Sequence, residues 1–150
     1  MRIFQILSVV LLSVHIASAQ SPDKLIEEIR AAAEGACVTV EYSLEAKVDD
    51  ARIKDEGVVV AQDDLWILDG KTVDIYTSKD VTLIMNSEAK EAMVEPKWSY
   101  DDLKAFCRTI VTSSGNDVDL EIKSRTISAK KPVSYFEPEL GSDWVVTDLR

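Results

Sequence analysis

From Val38 to Val48 the chain alternates without a break. Val38, Val40, Tyr42, Leu44, Ala46 and Val48 are apolar or aromatic, and Thr39, Glu41, Ser43, Glu45 and Lys47 stand between them. A period of two sends successive side chains to opposite faces, so this is a long strand with one dry and one wet face. A dry face has to be covered, and the neighbouring sequence supplies the cover. Ser21-Pro22-Asp23 reads as a helix start, with a capping serine, a first-turn proline and an acid at the positive end of the dipole. Leu25, Ile26, Ile29, Ala32 and Ala33 then recur at helical spacing, opposite Lys24, Glu27, Glu28 and Arg30, until Gly35 stops the helix.

Downstream, short apolar runs alternate with turn residues. Gly57–Ala61, Leu65–Leu68, Thr72–Thr77, Val81–Met85 and Lys90–Glu95 read as strands. Asp69-Gly70 reads as a two-residue hairpin turn. Short loops predict an antiparallel meander in which each strand lies beside its sequence neighbour. Ser99, with Asp102 three residues on, opens a second helix from Tyr100 to Val111. Its stripe is Leu103, Phe106, Cys107, Ile110 and Val111, and Ser113-Ser114-Gly115-Asn116 ends it. Val118, Leu120 and Ile122 alternate again, Ile127 falls in a following strand, and Trp144–Leu149 is the last strand. The expected fold class is α+β: a strongly curved, open antiparallel sheet of about six to eight strands, covered by two helices.

The first nineteen residues read as a leader rather than as part of this domain. Met1-Arg2 gives a positive start, Ile3–Ile16 an apolar run, and Ala17-Ser18-Ala19 a small-residue cleavage pattern. The expected protein is exported, periplasmic or secreted, with a single domain over residues 20–150. The apolar run is shorter than the roughly 20 residues of a comfortable membrane span. No second apolar stretch is long enough to cross a bilayer.

Cleavage removes Arg2 and His15, the only histidine among 150 residues. The formal charge then moves from −10 to one unit more negative. An acidic chain argues against nucleic acid, whose phosphates need clustered Lys and Arg. Loss of His15 excludes Ser-His-Asp and Cys-His catalysis and histidine metal sites. No enzyme activity, cofactor or metal is expected. Asp49-Asp50, Asp63-Asp64 and Asp101-Asp102 sit where turns and helix starts favour Asp. Cys37 and Cys107 are either a disulfide, which closing so long a loop would make worth roughly 4 kcal/mol, or two separate buried thiols.

The apolar face has two readings. Either the helices fill it as an ordinary core, or they close a cavity that binds something apolar. Trp66, Met85, Met93, Trp98 and Phe106 suit adaptable walls, since thioether and aromatic groups accept irregular shapes. Val40, Tyr42, Leu44, Ile75, Leu83 and Ile110 complete the candidate lining on the inner strands and the second helix.

Three stretches carry a family resemblance. They are the first helix with Ala36–Leu44, the segment from Gly57-Val58-Val59-Val60 through Asp64-Leu65-Trp66 and Ile75-Tyr76 to Val81–Glu91, and the close, Tyr135-Phe136-Glu137-Pro138 with Trp144–Arg150. In that order they resemble the LolA-like outer-membrane lipoprotein carriers. The resemblance implies an open sheet covered by helices, and a carrier or chaperone that shields lipoprotein acyl chains in a hydrophobic cavity. It implies lipid and envelope proteins as partners, with the helix from Ser99 to Val111 as a lid. The family's strand arginine, which locks the lid, has no counterpart at Arg52. The other reading is an exported, non-enzymatic interaction module with a filled core, binding protein at a sheet edge.

Overall fold

Ser21 caps the first helix as its residue type suggests, its side chain accepting from Lys24 N–H at 3.3 Å. The structure, a computed structural model, describes residues 21–150 apart from positions 72, 114 and 116. The expected leader, its cleavage site and His15 lie outside the described residues. Helix α1 spans Pro22–Ala32 and buries Leu25, Ile26 and Ile29. Gly35 follows at φ 73°, a left-handed conformation that glycine adopts without strain.

The strands are β1 (Cys37–Val48), β2 (Ala51–Gln62), β3 (Leu65–Asp69), β4 (Asp74–Thr77), β5 (Val81–Asn86) and β6 (Glu91–Pro96). Helix α2 (Tyr100–Ser113), β7 (Val118–Ser128), a short 3-10 helix (Val133–Phe136) and β8 (Val145–Asp148) complete the chain. All eight strands form one sheet in the order β7-β1-β2-β3-β4-β5-β6-β8. The fold is α+β, and the sheet is not closed. β1 to β6 are the expected meander. The late strands depart from it: β7 returns to pair antiparallel with β1, and β8 runs parallel to β6.

Several boundaries differ from expectation. β2 begins at Ala51 rather than Gly57, because Arg52, Lys54 and Glu56 hide its alternation behind a charged face. The β3–β4 turn is not the two residues Asp69-Gly70. Asp69 pairs with Asp74, and Gly70 N–H donates to Val73 O at 3.2 Å. Ile127 lies in the same strand as Val118, not in a following one. A bulge opposite Glu41 and Tyr42 takes up one residue, so Ile122 and Arg125 both face the helices.

Strand register sorts the side chains. The inner face, toward the helices, carries Val38, Val40, Tyr42, Val59, Ala61, Trp66 and Ile75 in one core with Leu25, Ile26, Ile29 and Leu103. The outer face carries Cys37, Val60, Leu65 and Ile67 around Phe136, which is fully buried. Buried Gln62 holds the segment leading to Phe136: its amide donates to Lys131 O at 2.9 Å and accepts from Lys131 N–H at 2.7 Å.

This sorting overturns the disulfide. Cys37 and Cys107 are both free thiols. Cys37 belongs to the outer core, whereas Cys107, on α2, packs against the inner one. The sheet stands between them. Odd numbering in β1 places Cys37 opposite Val38 and Val40, so the alternation itself contains the reason.

A candidate apolar cavity under helix α2

α2 is anchored at its start. Ser99 and Asp102 cap each other reciprocally, Ser99 N–H donating to Asp102 Oδ2 at 2.7 Å and Asp102 N–H to Ser99 Oγ at 3.2 Å. Tyr100 O–H donates to Asp63 O at 2.6 Å, and Trp98 N–H to Thr82 Oγ1 at 2.8 Å. Trp98 bridges the buried Trp66 ring at 6.4 Å and Phe106 at 5.9 Å, tying the sheet to the helix. Toward its end α2 becomes more exposed, and Ile110 is 39% accessible. Ion pairs link this helix to α1: Arg108 with Asp23 at 2.8 Å, and Lys104 with Glu27. Arg125 of β7 reaches Glu28 on α1 at 2.8 Å.

Between α1, α2 and the inner face of β7, β1, β2, β3 and β4 lies a cavity of about 300 Å³. Its wall includes Leu25, Ile29, Tyr42, Leu44, Ala46, Ile53, Leu68, Ile75, Phe106, Ile110 and Leu120. That volume is at the low end of the roughly 300–1,000 Å³ of small-molecule sites. Two side chains give it a polar spot. Tyr42 O–H donates to Asp55 Oδ2 at 3.1 Å, and Lys71 N–H donates to Asp55 Oδ1 at 2.9 Å. Burial, then the Asp55 carboxylate, pushes the Tyr42 phenol far above its ordinary pKa, so it keeps its proton. Gly57 makes room for that phenol, since a Cβ there would stand 2.6 Å from Tyr42 Oη and 2.4 Å from Asp69 O.

Of the residues expected to line a site, Tyr42, Leu44, Ile75, Phe106 and Ile110 do so. Val40 and Trp66 are inner-face residues buried in the core beside the cavity rather than in its wall. Trp98 borders a separate polar cleft with Arg30, Glu34 and Lys97. Leu83 and Met85 are corrected to the outer face, because Leu83 pairs with Tyr76 and Met85 with Ala92 across strands that alternate away from the helices. Met93 pairs with Ile84 but is 41% exposed near the β8 edge and outside the cavity. Sequence reasoning missed Ile53 and Asp55. Their signal was pairing: Ile53 lies opposite Ala46, and Asp55 opposite Leu44.

The acidic pairs serve the fold. Asp49 and Asp63 occupy left-handed turn positions at φ 54° and 53°. Asp63 pairs with Lys130 at 2.7 Å and accepts from Gly35 N–H at 2.9 Å, which in that order hold its carboxyl below the ordinary range. Asp64 pairs with Lys97 at 2.7 Å. Among the described residues no three His, Cys, Asp or Glu side chains converge as a metal site, and no helix is long and apolar enough to cross a membrane. Burial, helped by Asp23, pushes the Cys107 thiol up to about 11, so it is a poor nucleophile at neutral pH. No family model and no curated protein matches the chain.

Proposed function

We propose that this is an exported, LolA-like carrier or chaperone that shields acyl chains in the cavity beneath α2, and that it is not an enzyme. The observation carrying this reading is the cavity itself, walled almost wholly by apolar side chains and bounded by a helix whose start is held by its cap and ring contacts and whose later turns are joined to α1 by ion pairs. Each methylene moved from water into such a wall is worth about 0.8 kcal/mol. A chain of roughly ten carbons gains on the order of 8 kcal/mol before the cost of immobilisation. The far half of α2 acts as the lid. Its ion pair to α1, Arg108 with Asp23, is exposed on both sides and exchanges readily with water. The cysteines do not tether it.

Native mass spectrometry of the purified protein tests the reading. A bound lipid or lipoprotein is expected, and it should be lost from Leu44→Trp, which fills the cavity from β1 while the protein stays folded. A ligand-free spectrum, together with no uptake of any acyl probe, sinks the carrier. A second reading draws on the edge strand β8. Val145, Val146 and Leu149 are exposed there beside Met93, an apolar margin suited to pairing with another protein. In that case pull-down partners should depend on β8 and be indifferent to Leu44→Trp.

A further inference from the structure

Among the described residues, the cavity wall holds one charged side chain, and it is acidic. Asp55 stands on the inner face of β2 opposite Leu44, among Ile53, Val59 and Val73. Among the described residues, no lysine, arginine or histidine belongs to the wall. The cations of that stretch lie on the other face: Arg52 and Lys54 both pair with Glu45, at 2.8 and 3.0 Å. The two donors on Asp55, the Tyr42 hydroxyl and the Lys71 amide, use one acceptor position on each oxygen. A carboxylate offers about four such positions, so these donors orient Asp55 without exhausting it. Apolar walls screen charge poorly, and the field of a single carboxylate is felt across the cavity.

Resting on the carrier reading, we infer that the cavity takes a single-chain amphiphile whose polar end is neutral or cationic, set against Asp55, and rejects the same chain ending in a carboxylate or phosphate. A hydroxyl, amide or ammonium end donates to the open acceptor positions. An anionic end meets a like charge with no cation among the described wall residues to balance it, and the net charge of −10 on the chain adds to the repulsion. The small volume favours one chain over two.

The test compares three probes of equal chain length on the delipidated protein at neutral pH and low salt: monolaurin, dodecylamine and laurate. Displacement of a neutral fluorescent reporter from the cavity reads affinity. Monolaurin and dodecylamine are expected to bind at least about tenfold more tightly than laurate, a difference of roughly 1.4 kcal/mol. Asp55→Asn should bring laurate to within about threefold of monolaurin and weaken dodecylamine. Should Asp55→Asn fail to fold, Ile53→Lys is the second variant. It places a cation at the exposed rim, and should strengthen laurate and weaken dodecylamine. Equal binding of all three probes overturns the inference and leaves the carrier standing. So does laurate discrimination that neither variant alters. Binding of none of them overturns both.

Discussion

On the outer face of the sheet, Phe136 is fully buried among Cys37, Val60, Leu65 and Ile67. On the inner face, the neighbouring residues of the same strands, Tyr42, Leu44 and Val59, line an open cavity. Both faces are covered, but by different means. The outer cover is a short segment locked in register by the paired hydrogen bonds of Gln62. The inner cover is two helices joined by ion pairs and spaced from the strands at one end. Protein interiors seldom keep voids larger than a water molecule. A face left open beside one packed solid is therefore a place to seek function, and the packed face a place to seek stability.

That division is broken most directly at Phe136. Phe136→Ala leaves a hole in the outer core and is expected to cost about 3–5 kcal/mol in denaturant unfolding. Uptake of an apolar probe by the folded fraction should stay as it was. A smaller stability loss accompanied by lost uptake would reverse the roles of the two faces. Gln62→Ala acts on the same face through polar groups. It strips Lys131 of both backbone partners and should cost about 1–3 kcal/mol. Rescue by Asn is expected to be poor, because its shorter side chain does not span the gap.

The contrast between faces was partly written in the sequence. Unbroken alternation in β1 gave its dry and wet sides, and the capping residues Ser21 and Ser99 marked both helix starts. Tyr42, Leu44 and Ile75 followed from β1 and β4, and Phe106 and Ile110 from the helical stripe. Register between strands was not legible, because it is set by long-range pairing. Leu83 and Met85 are as apolar as Ile84, and only the pairing of β5 with β4 sends them outward. Asp55 sits in a run, Arg52 to Glu56, whose charge reads as loop. The return of β7 to β1 joins residues more than seventy apart, and the parallel β8 joins residues more than fifty apart, which no local pattern encodes.

A third effect, smaller again, belongs to the outer face and depends on pH. Asp69 and Asp74 face each other across β3 and β4. Burial first, then Asp69, raises the Asp74 carboxyl above its ordinary pKa. A carboxyl raised in the fold favours the folded state fully when protonated, below its unfolded pKa. That contribution is lost as pH rises through the higher folded value. Asp74→Asn should therefore raise the melting temperature at neutral pH, with the gain over the natural chain shrinking in acid. The difference between the two chains, measured at each pH, isolates this site from Glu45, Glu56 and Asp63, whose carboxyls shift the other way. A gain that grows in acid would contradict the sign.

The smallest effect on stability should come from the inner face, at the ion pair joining Arg108 of α2 to Asp23 of α1. Both side chains are well exposed, so water competes for each charge and salt screens the pair. Arg108→Ala is expected to cost well under about 1 kcal/mol, and a double-mutant cycle with Asp23→Ala should give a coupling of a few tenths. The rate of probe uptake is the more telling readout. A link between the two helices at the open end of the cavity opposes opening of α2, so breaking it should speed association while leaving the melting temperature nearly fixed. High salt should reproduce the acceleration in the natural chain and add little to the variant. Were the coupling to exceed about 2 kcal/mol, with uptake unchanged, the helices would be a rigid cover like the one over Phe136, and the two faces would differ in volume but not in mobility.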